Sequence, residues 1–311
     1  MITAGTGRHG SARPPQRPRP GQNPEVTSPI SPFPAAGIDF GATLLKAVVL
    51  PDPASQGGMR TFLAPADDVA GLARFLRKGP FAAVGVVGGG ARRWAAGDGA
   101  LFPVVTIDEF AAWGAGEKLL LDAAPFVPTR PHLLVSLGTG TSILSVDGSG
   151  KVSRVGGTAL GGGTLRGLGR LLLGEDGHEA LIELARGGDR RKVDLLVGDL
   201  YGPGEISLHG DLTAANFGKL ASTERADGAN ALCGLLGENV ALLAGSLARS
   251  LAGGETIDVV YGGATLRGHD VLRGILLHVT GLAGARARFL PNGEFAGAVG
   301  ALSLALGRGR P

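Results

Sequence analysis

Three charged side chains sit where apolar runs give way to turns or helices: Asp39, Glu109 and Arg154. Asp39 ends a short apolar run and is followed by Gly41, Thr43 and Lys46. Such a constellation suits a polyphosphate. The carboxylate can hold a hydrated Mg2+, Gly41 and Thr43 supply N–H and hydroxyl donors, and Lys46 a point charge. A plain turn stabilised by its Asp and Thr has the same composition, so the motif alone leaves both readings open. Glu109 begins a helical run just after a strand, where an acid favours the helix dipole. Facing a cleft, the same carboxylate could take a proton from an attacking hydroxyl. Arg154 stands at the end of an apolar strand before a glycine loop, and its guanidinium fork suits a carboxylate. A surface arginine at a strand end would look the same.

A second glycine-rich element precedes Arg154. An apolar strand, Leu133 to Leu137, runs into the turn Gly138, Thr139, Gly140; Thr141 and Ser142 follow, then a strand from Ile143 to Val146 and a hairpin turn at Asp147-Gly148. Beyond Arg154 a loop carries Gly156, Gly157, Gly161, Gly162 and Gly163 and opens a helix expected from Thr164 to Leu173. Glycines let backbone N–H groups approach an anion, and the helix N-terminus offers a second set. Two phosphate-sized sites around one cation imply a nucleotide enzyme with a polar substrate. Gly262-Gly263, after a short strand, would let an adenine ring lie against backbone. The chain has neither a Gly-x-x-x-x-Gly-Lys-Ser/Thr nor a Gly-x-Ser-x-Gly pattern, which excludes a P-loop enzyme and argues against an α/β-hydrolase. Its six histidines show no His-x-x-x-His or Cys pairing, so no side-chain metal cage is expected and Asp39 is left as the metal-associated residue.

Positioning these groups requires a large α/β chain, and 311 residues with 55 glycines and 5% aromatics imply one built on Leu, Val and Ala. The formal charge of +3 lies in the first 35 residues, where Arg8, Arg13, Arg17 and Arg19 face only Glu25. The remainder is balanced, which removes the main support for a nucleic-acid partner. The same 35 residues hold eight of the 19 prolines and no apolar core of signal-peptide length, so a disordered extension is expected. A single cysteine, Cys233, in an apolar helical stretch fits a buried residue in a reducing cytosol. The longest apolar stretch, Ala229 to Gly253, is interrupted by Glu238, Asn239 and Arg249 and is expected as a buried or interface helix, not a membrane span. A cytoplasmic protein follows from these readings.

The pattern predicts a hairpin over 38–50, helices over 67–78 and 109–121, and strands over 82–87 and 104–107. A proline-rich link (Pro125, Pro128, Pro131) is the best internal boundary. The expected organisation is therefore a tail over 1–35, a first lobe over 36–127, and a second over 128–311. In the second lobe further helices are expected near 177–187, 213–221, 227–252 and 265–278, with strands at 257–261 and 285–290 and a closing helix over 295–306. Each lobe opens with a hairpin whose Gly/Thr turn could hold phosphate. A duplicated α/β chain of this kind has the two-lobed actin/hexokinase-like ATPase fold, with ribonuclease H-like lobes and the nucleotide between them.

The residues resemble the type II (eukaryotic-like, staphylococcal-type) pantothenate kinases from Gly37 to about Leu306. The carriers are Gly-Ile-Asp-Phe-Gly-Ala-Thr-Leu-Leu-Lys over 37–46, Glu109-Phe110 and Val-Ser-Leu-Gly-Thr-Gly-Thr-Ser-Ile over 135–143. They continue with Arg-Val-Gly-Gly-Thr-Ala-Leu-Gly-Gly-Gly-Thr over 154–164, Gly-Asp-Leu-Thr-Ala-Ala-Asn-Phe-Gly over 210–218 and Asn-Gly-Glu-Phe-Ala-Gly-Ala-Val-Gly-Ala-Leu over 292–302. The resemblance implies ATP- and Mg2+-dependent phosphorylation of pantothenate, the first step toward coenzyme A, in a homodimer with an acyl-CoA as a feedback ligand. It implies Glu109 as the base, Arg154, Ser142 and Thr158 as pantothenate contacts, and Asp39 to Lys46, Gly138 to Thr141 and Gly161 to Gly163 as nucleotide contacts. It also places the segment Asp211 to Phe217 near the partner subunit's site. The family usually has glycine at Ala42, and bacterial relatives are smaller near Trp113. Two other functions fit the same fold: a catalytically weak acyl-CoA- or nucleotide-binding regulator, and a kinase for another small hydroxy acid or sugar.

Overall fold

The computed structural model describes residues 33–51, 58–76 and 80–308; the extension over 1–32 and the end of the helix expected through Lys78 lie outside them. β1 (Ala35–Phe40) and β2 (Leu44–Leu50) form a hairpin across Gly41-Ala42-Thr43, with Asp39 opposite Lys46. β3 (Arg60–Pro65) adds antiparallel to β2. After α1 (Val69–Leu76), which buries Leu72 and Leu76 at helical spacing, β4 (Ala83–Gly88) returns parallel to β1. The short α2 (Ala91–Ala96) leads to β5 (Val104–Thr106), parallel to β4. α3 (Glu109–Leu120) starts from Asp108, whose carboxylate accepts the Ala111 N–H at 2.9 Å.

The chain then repeats itself. β6 (His132–Leu137), β7 (Thr141–Val146) and β8 (Val152–Thr158) form an antiparallel meander. α4 (Gly162–Leu168), α5 (His178–Arg186), the ribbon of β9 (Leu195–Leu196) and β10 (Thr213–Ala215) around α6 (Val197–Leu200), and α7 (Arg225–Leu251) follow. β11 (Asp258–Gly262) pairs parallel to β6; α8 (Asp270–Leu282) leads to β12 (Arg286–Phe289), parallel to β11, and α9 (Ala296–Arg308) closes the chain. The sheet orders are β3-β2-β1-β4-β5 and β8-β7-β6-β11-β12. Three antiparallel strands followed by two parallel ones, twice in the same order, make the two-lobed actin/hexokinase-like ATPase fold expected from the sequence.

α9 packs against β1 and β4 of the first sheet and shares a buried apolar cluster with Leu134, Leu144 and Val260 of the second. A Cβ on Gly37 of β1 would collide with the Ala298 carbonyl, and one on Gly85 of β4 with that of Ala301. α3 and α9 are pressed together equally closely, because Gly116 has no side chain to meet the Ala296 carbonyl and Gly300 none to meet that of Ala112. α7 is long and apolar enough to cross a membrane by length and composition, yet 67% of the qualifying window is buried inside the fold. It packs with α5 and α8, and its buried Asp227 and Glu238 are hydrogen-bonded, by Ser222 Oγ and by Thr213 N–H respectively. Cys233 is buried on this helix, and burial pushes its thiol up to about 12.

The structure departs from the sequence reading in several places, the short β9 and α6 among them. β3 and α2 were not expected: β3 lies at a sheet edge with mixed exposure, and α2 is too short to show a period. Residues 213–221 are strand and loop, not helix. Phe217 and Leu220 sit at φ of 57° and 46°, and the Phe217 N–H is held by Asp194 Oδ1. The helix expected over 265–278 begins only at Asp270, after Gly268 at φ 65° and with the His269 ring capping Leu272 N. Arg154 lies inside β8, not at its end, because a bulge at Val155 carries the strand on through Gly156 and Gly157 to Thr158.

Candidate active site

The two Gly/Thr turns face each other across a cavity of about 1370 Å3. Of the residues selected from the sequence, Asp39, Gly41, Thr43, Lys46, Glu109, Gly138, Thr139, Gly140, Thr141, Ser142, Arg154, Thr158, Gly162, Gly163 and Gly263 line it. Gly161 and Gly262 do not. Gly262 is buried against Trp113 and Gly293, and Gly161 underlies the Thr139–Gly140 backbone so closely that a Cβ there would come within 2.5 Å of the Thr139 carbonyl. Across the gap the Thr43 and Thr139 hydroxyls are 2.8 Å apart, so a single hydrogen bond joins the two turns.

Backbone bookkeeping separates the donors that are free from those that are not. Gly162 and Gly163, the first residues of α4, donate to the Gly138 and Thr139 carbonyls at 2.8 and 2.9 Å, and Gly161 donates to Thr164 Oγ1. The triple glycine therefore braces the turn from behind and is not the second anion site that its sequence suggested. Thr265 Oγ1 adds a further donor to the Gly138 carbonyl at 2.9 Å, and Thr141 Oγ1 is spent on the Leu160 carbonyl at 2.7 Å. Among the described residues the N–H groups of Thr139 and Gly140 have no acceptor, and neither do those of Gly41, Ala42 and Thr43. Two turns, each with unpaired amides and a hydroxyl, converge on one cavity.

The charged groups sit beside these turns. Asp39 is buried and pairs with Lys46 Nζ at 2.9 Å, so the lysine first neutralises its own strand partner. Glu109 opens into the cavity at the start of α3. Withdrawal from water by the cleft walls raises its carboxyl above the ordinary range, the charge of Asp39 raises it further, and Lys46 partly opposes both. Such a shift brings a carboxylate closer to the basicity a proton acceptor needs. The Arg154 guanidinium lines the same space and pairs with no acid among the described residues. Ser142 and Ser136, opposite each other on β7 and β6, border the cavity too. Asp39 and Glu109 and the Thr43 and Thr139 hydroxyls offer oxygen donors to the same cavity, a set suited to a hard divalent cation, with the Lys46 ammonium on Asp39 beside them.

Several cavity residues had no signal in the sequence. Ser136 is an ordinary strand residue until β7 is paired to β6. Arg166, His178 and Arg267 reach the cavity from α4, α5 and the loop before α8, and no short spacing connects them. Their arrangement depends on the second lobe as a whole; the His178 ring is bound to the Arg267 carbonyl at 2.8 Å.

Comparison with known proteins gives one answer. The family model described as Fumble matches residues 118–304. The type II pantothenate kinase of Oceanobacillus iheyensis is 35% identical over 270 residues, covering 86% of this chain and 97% of that protein. That of Staphylococcus haemolyticus is 33% identical over 278 residues, with 86% and 98% covered. Among solved structures, the activator of 2-hydroxyisocaproyl-CoA dehydratase from Clostridium difficile with bound ADPNP has a TM-score of 0.55 at 15% identity, covering 89% of this chain and 96% of that one. The ROK hexokinase of Thermus thermophilus has a TM-score of 0.50 at 15% identity, with 89% and 99% covered. At these identities the structures establish the fold alone.

Proposed function

The chain belongs to the type II pantothenate kinase family, and from that premise we propose that its cavity transfers the γ-phosphoryl group of ATP to the hydroxyl of pantothenate, the first step of coenzyme A synthesis. The observation that carries this reading is the convergence of two turns with unpaired amides on a space that also holds Glu109 and the unpaired Arg154. Glu109 takes the hydroxyl proton as the substrate oxygen bonds to the γ-phosphorus and the bond from that phosphorus to the β,γ-bridging oxygen breaks, leaving ADP. The amides of Thr139, Gly140 and the Gly41–Thr43 turn hold the phosphates. Arg154 takes the pantothenate carboxylate, with Ser142 and Thr158 beside it. Gly263, at φ 115°, lines the second-lobe side of the cavity, where the adenine would lie; its missing side chain makes room for the Leu137 backbone.

Asp39, through water, would hold Mg2+, whose charge balances the phosphates when bound. Lys46 keeps Asp39 oriented. The Gly138 carbonyl, tied by Gly162 and Thr265, fixes the second turn. The division into lobes at 127/128 is retained as the organisation of the site, with α9 crossing back to the first sheet. A homodimer is supported by large apolar side chains left in water, Leu171 at 79% and Leu172 at 59% exposure. An acyl-CoA as feedback ligand is supported by a cavity ample for more than the triphosphate. A cytoplasmic setting without nucleic-acid or membrane partners is supported by the lone buried cysteine, the charge balance beyond the first 35 residues and the burial of α7.

The test is ADP release from ATP and Mg2+ with pantothenate, against a panel of small hydroxy acids and sugars, with the phosphorylated product identified by mass. Turnover with pantothenate well above the panel is expected. Turnover with another acceptor and none with pantothenate would replace the substrate, and binding of CoA without turnover would favour a regulator.

A further inference from the structure

His209 and Asp211 lie in the connection between α6 and β10, and His278 lies on α8, 67 residues further along the chain. The fold brings them to one point on the surface, away from the cleft residues. His209 Nδ1 is 3.7 Å and His278 Nε2 3.6 Å from the same Asp211 oxygen, and the three ligand atoms all lie within 4.8 Å of one another. The two rings stand edge to face with centroids 5.8 Å apart. The Asp211 N–H donates to His209 Nδ1 at 3.3 Å, so that nitrogen is unprotonated and its lone pair is held by a long, weak bond that a metal would have to displace.

We propose that these three side chains form a binding site for a borderline divalent transition metal, Zn2+ in the first instance, which ties the α6–β10 connection to α8. Two imidazoles and one carboxylate are a donor set for zinc and its neighbours, not for Mg2+ or Ca2+, which take oxygen. Ligand atoms at about 2.0–2.2 Å from a tetrahedral zinc lie about 3.3–3.6 Å from each other. The two histidine–aspartate separations of 3.7 and 3.6 Å are already close to that spacing, and the larger movement is an approach of the two rings, whose ligand atoms lie within 4.8 Å. All three side chains are about half exposed, so neighbouring packing leaves them free to make that movement and a water can complete the shell. The nearby cations do not oppose it strongly. Arg190 is paired with Glu238 at 2.9 Å and Asp194 at 3.6 Å, and Arg191 with Asp189 at 3.4 Å. The consequence is mechanical. Past the cluster, the connection is held to α7 by the Thr213 N–H on Glu238, and Arg190, itself paired with Glu238, donates to the Asp211 carbonyl. The metal adds an anchor on α8.

Metal-stripped full-length protein is dialysed against Zn2+ with Mg2+ in excess, and bound zinc is counted. One equivalent is expected, and His209→Gln and His278→Gln, on separate elements, should each weaken its binding at least ~10-fold. Glu109→Gln should keep the full equivalent, because the cleft is a different place. Zinc should also slow chymotryptic cleavage at the exposed Tyr201 in the parent chain and not in His278→Gln. Equal zinc affinity in the parent and both histidine variants, no zinc bound at micromolar concentration, or loss of the equivalent only in Glu109→Gln would each overturn the site. A cleavage rate indifferent to zinc would overturn the anchoring role.

Discussion

Replacing Glu109 by Gln tests the reaction chemistry with little disturbance elsewhere. The helix it begins is capped by Asp108, so α3 keeps its start, and an isosteric change at a position open to the cleft and only partly withdrawn from water should alter stability by no more than ~0.5 kcal/mol. A positioned general base contributes ~10²–10⁴ in rate, equivalent to about 2.7–5.4 kcal/mol at 1.36 kcal/mol per decade. The variant should therefore lose at least ~100-fold in kcat while KM for ATP stays near its parent value, since the phosphates meet backbone amides and not this side chain. The pH profile carries the sharper signal. Burial and Asp39 raise the Glu109 carboxyl, so the parent enzyme should lose activity on acidification at a pH above the ordinary carboxylate range. A glutamine does not titrate, and that limb should vanish. ADP release measured from acid to neutral pH at saturating ATP reads both effects. A loss smaller than ~10-fold, or an unchanged acid limb, would remove Glu109 from proton transfer.

Other changes probe other parts of the structure. Arg154→Gln should raise KM for pantothenate roughly tenfold to a hundredfold, the worth of a hydrogen bond to a charged group, and leave KM for an uncharged pantothenate amide unmoved. Equal effects on both would show that the arginine does not meet the carboxylate. Gly116→Ala drives a methyl into the Ala296 carbonyl, so α3 and α9 must part; a cost of ~1–3 kcal/mol should lower the thermal midpoint, and an unaltered midpoint would contradict the packing. For Asp258, burial pushes the carboxyl up, but Arg286, the Thr129 N–H and Arg288 outweigh it and hold the folded-state pKa below the ordinary value. Its stabilisation is thus complete above that ordinary value and disappears as pH falls through the folded one. Asp258→Asn should be less stable at neutral pH and lose part of its acid sensitivity in urea titrations, and a slope identical to the parent's would refute this.

What could be seen in the residues was local. Asp39, Gly41 and Thr43 lie within five residues on a hairpin, and Gly138 to Ser142 on another, so both turns were visible before any fold was known. Spacing does not reveal which donors are already spent. The glycines at 161–163 suggest an anion site, but two of their amides close back on the turn they follow, a long-range pairing invisible in the sequence. Lys46 was similarly expected on phosphate, yet the hairpin register sets it against Asp39. The helix expected over 213–221 has suitable composition; buried carboxylates from other segments, Glu238 and Asp194, take its backbone and side-chain donors instead. Histidine spacing likewise cannot show that His209 and His278 meet, because they do so only once α8 is packed.

The position of α9 bears on the order of synthesis. β1 and β4 emerge from the ribosome well before α9, but the backbone that fills the space above Gly37 and Gly85 belongs to residues 298 and 301. The earliest sheet therefore has an uncovered apolar face until some 200 later residues have been made, roughly 10–40 s at ordinary elongation rates. During that interval the nascent chain depends on chaperones or on its own transient collapse for protection. A chain stopped before α9 would be left with β1 and β4 uncovered on that face. α9 thus acts as a late checkpoint: only a chain translated through α9 can cover the sheet made about 200 residues before it.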